Sequence, residues 1–155
     1  ISSPKQYGYR SKLTPHFEKP NPSNPFKIGF LKQGTRRSLL DVDQCPIATD
    51  SINKELPVAR RELTNKKNTL KKGGTLLLRD TNGMISTDSN EFVQEHVGDL
   101  IFQFRAGEFF QNNPFILTAL VDYVINQSQP QESSFLTPDM YRTTSSESPI
   151  PASNS

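Results

Sequence analysis

Cysteine and apolar residues are both scarce in this sequence of 155 residues. The single cysteine, Cys45, excludes a disulfide framework and a cysteine metal cluster, and it fits a reducing, intracellular compartment without indicating which one. No stretch approaches the roughly 20 apolar residues of a membrane span, so no membrane partner is expected. The apolar fraction is 33%, against roughly 45–50% with glycine counted in typical domains. We therefore expect a small core, or a chain that is partly disordered.

Several common motifs are also missing. The sequence has no GxGxxG, no phosphate-binding loop and no metal-ligand spacing, so we expect no metal. The first residues, "ISSPKQYGYRSK", lack a starting methionine and the features of a signal peptide. They look like an internal start, and we expect the chain to be a fragment with room for about one domain.

Charge is distributed unevenly along the chain. The first 79 residues hold sixteen Lys and Arg against six Asp and Glu, a net charge of +10, whereas the remainder carries −8. Such a division is typical of a protein whose basic half binds a polyanion, so we expect a polyanion partner for the first 79 residues. A solvated basic surface is the alternative interpretation.

The residue pattern predicts an α/β fold of the α+β kind, with a small antiparallel sheet and one or two covering helices. Hairpins are expected at Gly34-Thr35, Asn82-Gly83 and Gly98-Asp99. A helix is expected from Ala48, with its apolar face spaced by 4, 3 and 4 residues, and Pro57 should kink it or divide it in two. The apolar positions of this face are Ile52, Leu56, Ala59 and Leu63.

The stretch "AGEFFQNNPFILTALVDYV" predicts a second helix. Asn113 is a good N-cap, Pro114 suits the first helical position, and the helix should run to about Asn126. It is apolar nearly all round, which is typical of a helix buried on most sides. The small sheet is a poor partner for it, so we expect the covering body to lie outside this chain. Residues 127–155 are rich in serine and proline and are expected to be disordered.

Four residues are weak candidates for chemistry. Cys45 precedes a helix start, which could activate a thiol, but a buried structural cysteine is the more common outcome. His96 is expected to be a surface histidine. Asp41 and Asp43 fit a hairpin edge or a cap better than a metal site. We therefore predict no catalytic residue in this chain.

A short extended segment near the start favours nucleic-acid binding. Tyr7, Tyr9, Arg10, Lys12 and His16 interleave aromatic and basic groups. Bases stack on aromatic and guanidinium faces, and phosphates attract cations. Arg10, Lys12 and His16 are the predicted RNA contacts, with packing or surface solvation as the alternative.

Three segments together resemble one family, the S-adenosylmethionine-dependent tRNA (uracil-5-)-methyltransferases of eukaryotic, fungal type. They are "SPKQYGYRSKLTPHF", "IGFLKQGTRRSLLDVDQCPIATDSINKELP" and "FRAGEFFQNNPFILTALVDYV", and the resemblance covers residues 3–126. It implies tRNA as partner and S-adenosylmethionine as cofactor. It also implies that residues 1–108 form a central RNA-recognition domain and that residues 109–126 begin a truncated, Rossmann-like methyltransferase domain. Gln111 matches the family glutamine that contacts the methyl donor.

The resemblance further implies a mechanism in which the target uridine is extruded and a cysteine thiolate adds to C6. C5 then takes the methyl group, and a carboxylate removes the C5 proton. The family's nucleophile and base lie in a C-terminal part that has no counterpart here, and Cys45 does not match the catalytic cysteine. After Asn126, "SSFLTPDMYRTTSSESPIP" replaces the expected glycine-rich strand and turn. A fragment of the enzyme is the first prediction, and a non-catalytic RNA-binding module is the alternative.

Overall fold

A computed structural model of the chain describes residues 1–35 and 38–128. These residues form nine short strands, two α-helices and two 3-10 turns. The strands are β1 (Lys12–Leu13), β2 (His16–Phe17), β3 (Ile28–Leu31), β4 (Leu39–Asp41), β5 (Gly74–Thr75), β6 (Leu78–Thr81), β7 (Met84–Ser86), β8 (Phe92–Val97) and β9 (Leu100–Arg105). The helices are α1 (Asp50–Asn65) and α2 (Leu117–Ser128), and the 3-10 turns are Lys67–Thr69 and Pro114–Ile116.

The strands form three antiparallel sheets, in the orders β1-β6-β7, β4-β3-β2-β5 and β8-β9. The α+β class is thus confirmed, although a single sheet was expected. The first two sheets lie along one ladder with a single register, since Leu13 pairs with Leu78 and His16 pairs with Thr75. The ladder is interrupted at Pro15, which is fully buried and has no N–H to donate. Its carbonyl still accepts a hydrogen bond from the Leu76 amide at 2.8 Å, so the two halves stay joined.

The core lies between this ladder and α1. Ile52, Leu56 and Ala59 are buried at the predicted spacing and pack with Leu13 and Leu78. Thr49 caps the helix, because its side-chain oxygen accepts a hydrogen bond from the Ile52 amide at 3.4 Å.

Pro57 does not divide this helix. The prediction of two short helices is wrong, because α1 runs without a break from Asp50 to Asn65 with Pro57 inside it. Pro57 is exposed, while Leu56 and Ala59 on either side of it are buried against the sheet. Packing on both sides of the proline therefore holds one helix despite the lost hydrogen bond.

The hairpins form where glycine-containing turns were expected. Asn82 and Gly83 have φ angles of 54° and 86° between β6 and β7, which is the backbone of a type I′ turn. Gly98 has a φ of 59° between β8 and β9. β3 and β4 also pair as predicted, although residues 36 and 37 of their connection lie outside the described part.

The second helix begins as predicted. The Asn113 side-chain oxygen accepts a hydrogen bond from the Phe115 amide at 3.1 Å, and Pro114 opens a 3-10 turn that leads into α2. The described part of the helix reaches Ser128, two residues beyond the predicted end. Disorder was predicted for residues 127–155. Residues 127 and 128 are helical, and residues 129–155 lie outside the described part of the chain.

Candidate functional site

The AGEFFQNN segment, residues 106–113, connects β9 to the second helix and lies against β1 and β6. One side chain, Arg79 on β6, holds most of it. This residue is only 1% exposed. Its guanidinium donates hydrogen bonds to the Ala106 carbonyl at 3.2 Å, the Glu108 carbonyl at 2.8 Å and the Asn112 side-chain oxygen at 3.3 Å. A planar fork of donors suits such a divergent set of acceptors.

Two residues of the first strand region complete the attachment. The Lys12 ammonium donates to the carbonyls of Gly107 at 2.7 Å and Glu108 at 3.0 Å. The Ser11 amide and hydroxyl both donate to the Asn112 carbonyl, at 2.7 and 3.1 Å. The AGEFFQNN segment is therefore fixed at its first three residues and at Asn112 by residues that are distant in sequence.

The charges around Arg79 are balanced without a close ion pair. Among the described residues both salt bridges involve Arg60, and neither involves Arg79. Burial lowers the pKa of Arg79, and the negative charge of Glu95 opposes that shift. Burial, followed by the charge of Arg79, lowers the pKa of Lys12. The carbonyl acceptors thus supply most of the compensation that a buried guanidinium requires.

Glu95 on β8 and Asp80 on β6 are both buried carboxylates of this region. Burial and then the neighbouring charge of Asp80 raise the pKa of Glu95, while the positive charges of Arg79 and His96 act in the opposite direction. The protonated form of Glu95 is therefore favoured by folding.

Gln111 lies in the AGEFFQNN segment, just before the helix cap. It is half-buried, and its side-chain oxygen accepts a hydrogen bond from the Asn113 amide at 3.3 Å. Phe110 stacks on Phe104 with ring centroids 4.2 Å apart, whereas Phe109 is 90% exposed. The segment therefore carries an open aromatic ring at Phe109 and a half-buried carboxamide at Gln111, two residues apart in the chain. The donor contact of Gln111 stays a prediction.

The three predicted RNA contacts do not form one patch. Arg10 donates from Nε to the Lys12 carbonyl at 2.9 Å, and Lys12 is engaged with the AGEFFQNN segment. His16 is exposed on the other half of the ladder, with Nδ1 3.0 Å from the Thr75 hydroxyl. Their role in RNA contact stays a prediction, and the structure gives Lys12 a structural role as well.

The weaker candidates have structural surroundings. Cys45 is half-buried against the core, and its amide donates to the Asn53 side chain at 2.9 Å. Asp41 and Asp43 accept from Arg60 at 3.0 and 3.1 Å. Burial would raise the pKa of Asp41, but hydrogen bonds from Arg60 and the Ile28 amide, with nearby positive charge, lower it.

The described part of the chain lacks two further classes of site. It contains no cluster of three or more His, Cys, Asp or Glu side chains suited to a metal ion. Nor does any helix within residues 1–35 and 38–128 have the length and apolar character to cross a membrane.

Comparison with known proteins gives clear relatives, although no family model matches the chain. The tRNA (uracil(54)-C(5))-methyltransferase of Schizosaccharomyces pombe is 43% identical over 134 residues, which covers 82% of this chain and 25% of that protein. The tRNA (uracil(54)-C(5))-methyltransferase of Saccharomyces cerevisiae is 31% identical and covers 83% of this chain and 29% of that protein. The chain is a relative of the tRNA uracil-54 C5-methyltransferases. The resemblance predicted from the sequence is confirmed, and the chain spans roughly a quarter of the length of these relatives.

A solved structure supports the fold independently. The tRNA (uracil-54, C5)-methyltransferase of Pyrococcus abyssi, in complex with S-adenosyl-L-homocysteine, matches with a TM-score of 0.60. The match covers 81% of this chain and 42% of that one at 15% identity. It shows that the arrangement of strands and helices is shared with a methyltransferase.

Sequence reasoning missed Arg79, Ser11 and Asn112. Arg79 carried a signal, because an arginine after "TLLL" in a predicted strand sits where an apolar residue is expected. Its hydrogen bonds span about thirty residues, which no local pattern reveals.

Proposed function

We propose that this chain is the RNA-holding part of a tRNA uracil-54 C5-methyltransferase and that it supplies one contact, Gln111, to the methyl donor S-adenosylmethionine. The observation that carries the proposal is the similarity to two methyltransferases of this name over more than four-fifths of the chain. The rigid attachment of the AGEFFQNN segment supports it, because a donor contact needs a fixed backbone.

The residues present fit a donor contact. The Gln111 amide nitrogen can donate to a carboxylate or a hydroxyl, the polar groups of the donor. S-adenosylmethionine supplies an electrophilic methyl group on a sulfonium when it is bound. Arg79 and Lys12 hold the carbonyls of residues 106–108, so that Gln111 emerges from a fixed segment.

Methyl transfer also needs a nucleophile and a base. Cys45 is the single thiol of the chain. Its backbone is tied to Asn53 of α1, and it packs against the core cluster. We therefore propose that the chemical step depends on residues corresponding to the rest of the relatives' length.

A non-catalytic RNA-binding module remains the second candidate. The net charge of +10 over the first 79 residues favours it, since that charge attracts RNA with or without catalysis. The two candidates differ in whether the donor is bound.

Titration of the chain with an unmodified tRNA transcript tests what the two candidates share. We expect binding that weakens as salt rises, with a log–log slope of several units, because phosphate contacts release counterions. Absence of binding at low salt would contradict both candidates. Equilibrium dialysis with labelled S-adenosylmethionine then tests the donor contact. Donor binding that Gln111→Ala weakens supports the enzyme fragment over the module, and donor binding that Gln111→Ala leaves unchanged contradicts the contact.

A further inference from the structure

An open groove lies between the proline-rich loop, residues 19–26, and the 3-10 turn Lys67–Thr69. Its volume is about 690 Å³, within the rough range of 300–1,000 Å³ of ligand clefts. Lys19, Asn21 and Phe26 line one side, and Lys67, Asn68 and Leu70 line the other. We refer to it as the lysine groove.

The β2–β5 pairing brings the two walls together. Phe17 pairs with Gly74, so the residues that follow Phe17 run beside the residues that precede Gly74. A Cβ atom at Gly73 would stand 2.6 Å from the Phe17 carbonyl oxygen. At Gly74 it would stand 2.8 Å from the tip of the Phe17 ring, a side chain that can shift, so the close backbone approach requires glycine at Gly73. The walls are therefore set by the sheet and not by an isolated loop.

The charge of the groove is of one sign. Lys19 and Lys67 line it, and Lys66, Lys71 and Lys72 are exposed beside it along the chain. No acidic side chain is among the described residues that line it, and Glu18 lines separate cavities with Leu39. The lysines named here take part in no salt bridge among residues 1–35 and 38–128. A polyanion would therefore meet cations that lack a carboxylate partner.

An aromatic ring adds a second kind of contact. Phe26 is half-buried and packs edge-to-face on Phe17, with ring centroids 6.1 Å apart and planes at 62°. A fixed ring beside lysines and an asparagine is the combination that holds single-stranded nucleic acid, through base stacking and phosphate attraction.

We propose that the lysine groove binds a single-stranded stretch of RNA, with Lys19 and Lys67 on phosphates and a base against Phe26. The identity of the partner as RNA rests on the proposed function. The groove itself rests on its own geometry and charge. It is separate from Arg10 and Lys12, whose side chains are engaged with the chain's own carbonyls.

The test is titration of the 155-residue chain with an unmodified tRNA transcript, over salt from about 0.05 to 0.5 M. The double variant Lys19→Gln, Lys67→Gln should lower the log–log salt slope by about 1.4. If the variant and the unaltered chain bind equally at about 1 M salt, the variant should bind roughly 25-fold more weakly at about 0.1 M. Phe26→Leu should weaken binding roughly fivefold or more with an unchanged slope, because it removes stacking and not charge.

The matched control is the double variant Lys54→Gln, Lys32→Gln, which removes the same charge elsewhere. Lys54 lies near the start of α1, roughly 20 Å from Lys67 along the helix direction. Lys32 follows the last residue of β3, whereas Phe26 precedes its first residue. Thermal unfolding checks that every variant keeps its fold.

Three outcomes decide the matter. Loss in the groove variants well beyond the control supports the proposal. Equal loss in groove and control variants overturns the groove, while the binding itself leaves the proposed function standing. Absence of tRNA binding by the unaltered chain at low salt contradicts the proposed function and the groove with it.

Discussion

The AGEFFQNN segment and α2 are neighbours in sequence, yet their surroundings differ sharply. The segment is held by side chains from Ser11, β1 and β6, and Arg79 of β6, which donates to it, is 1% exposed. Along α2, Leu117 is buried, but Tyr123, Val124 and Ile125 are 55%, 55% and 50% exposed. An isolated helix of fewer than roughly 12–15 residues is marginal in water. The described residues thus fix the segment that carries Gln111 and leave the apolar helix after it uncovered.

This difference separates two sources of order. The segment derives its conformation from polar contacts within the described chain. The helix has a good cap and an apolar surface, but few described side chains cover that surface. The expectation that α2 packs against a further domain fits this exposure and stays a prediction.

The largest expected effect on stability is at Arg79, whose side chain holds the AGEFFQNN segment. Arg79→Met leaves the Ala106 and Glu108 carbonyls and the Asn112 side chain without a donor, which should lower the free energy of unfolding by about 3 kcal/mol or more. The free energy of unfolding of Arg79→Lys should lie between those of the unaltered chain and Arg79→Met, because an ammonium keeps the charge but not the planar fork of donors. Urea denaturation measures both.

Arg105→Met is the control for this prediction. Arg105 is exposed beside Phe92, so its replacement should change the free energy of unfolding by less than about 0.5 kcal/mol. An equal loss in the Arg79 and Arg105 variants would show that Arg79 does not hold the segment.

A smaller effect is expected at Glu95, and it depends on pH. Because the folded state raises the pKa of Glu95 above its ordinary value of 4.5, the stability that this group contributes at low pH is lost as the pH rises through the folded pKa. Glu95→Gln should therefore be more stable than the unaltered chain at pH 7 and similar to it below about pH 4.

Unfolding curves at several pH values measure this difference. Glu62→Gln, which replaces an exposed carboxylate of α1, serves as the control and should show no comparable change. A Glu95→Gln variant that is less stable at neutral pH would mean that the charge of Glu95 is needed to balance Arg79.

The smallest effect is expected on the exposed side of α2. Val124→Ser should change the free energy of unfolding by less than about 0.5 kcal/mol, because the side chain is more than half exposed. Leu117→Ser, in the same helix but only 6% exposed, should cost about 2 kcal/mol or more. Equal costs at the two positions would place a covering surface over Val124.

Local features of the fold could be predicted from the sequence, and distant contacts could not. The Asn82-Gly83 turn and the Asn113 cap depend on residues within one turn of the chain, and both were predicted correctly. The pairing that carries the ladder past Pro15 was not foreseen, because it involves residues about sixty positions away. The division of the helix at Pro57 was predicted wrongly, since packing on the sheet outweighs the helix-breaking tendency of the proline.

The candidate site divides in the same way. Gln111 was proposed from a resemblance, and its role stays a prediction. Arg79, which fixes its surroundings, became visible only when β6 was placed beside the AGEFFQNN segment. Lys12 was predicted to contact RNA from the interleaving of aromatic and basic residues around it, and its hydrogen bonds to Gly107 and Glu108 could not be inferred from that pattern.

Amide hydrogen exchange of the 155-residue chain, with and without tRNA, tests the account most directly. Without tRNA, the amides of Ser11, Asp80 and Ala106 should be strongly protected and those of residues 120–128 weakly protected. With tRNA, residues 19–26 and 66–72 should gain protection. Strong protection throughout α2 in the free chain, or no gain in the lysine groove when tRNA is bound, would contradict it.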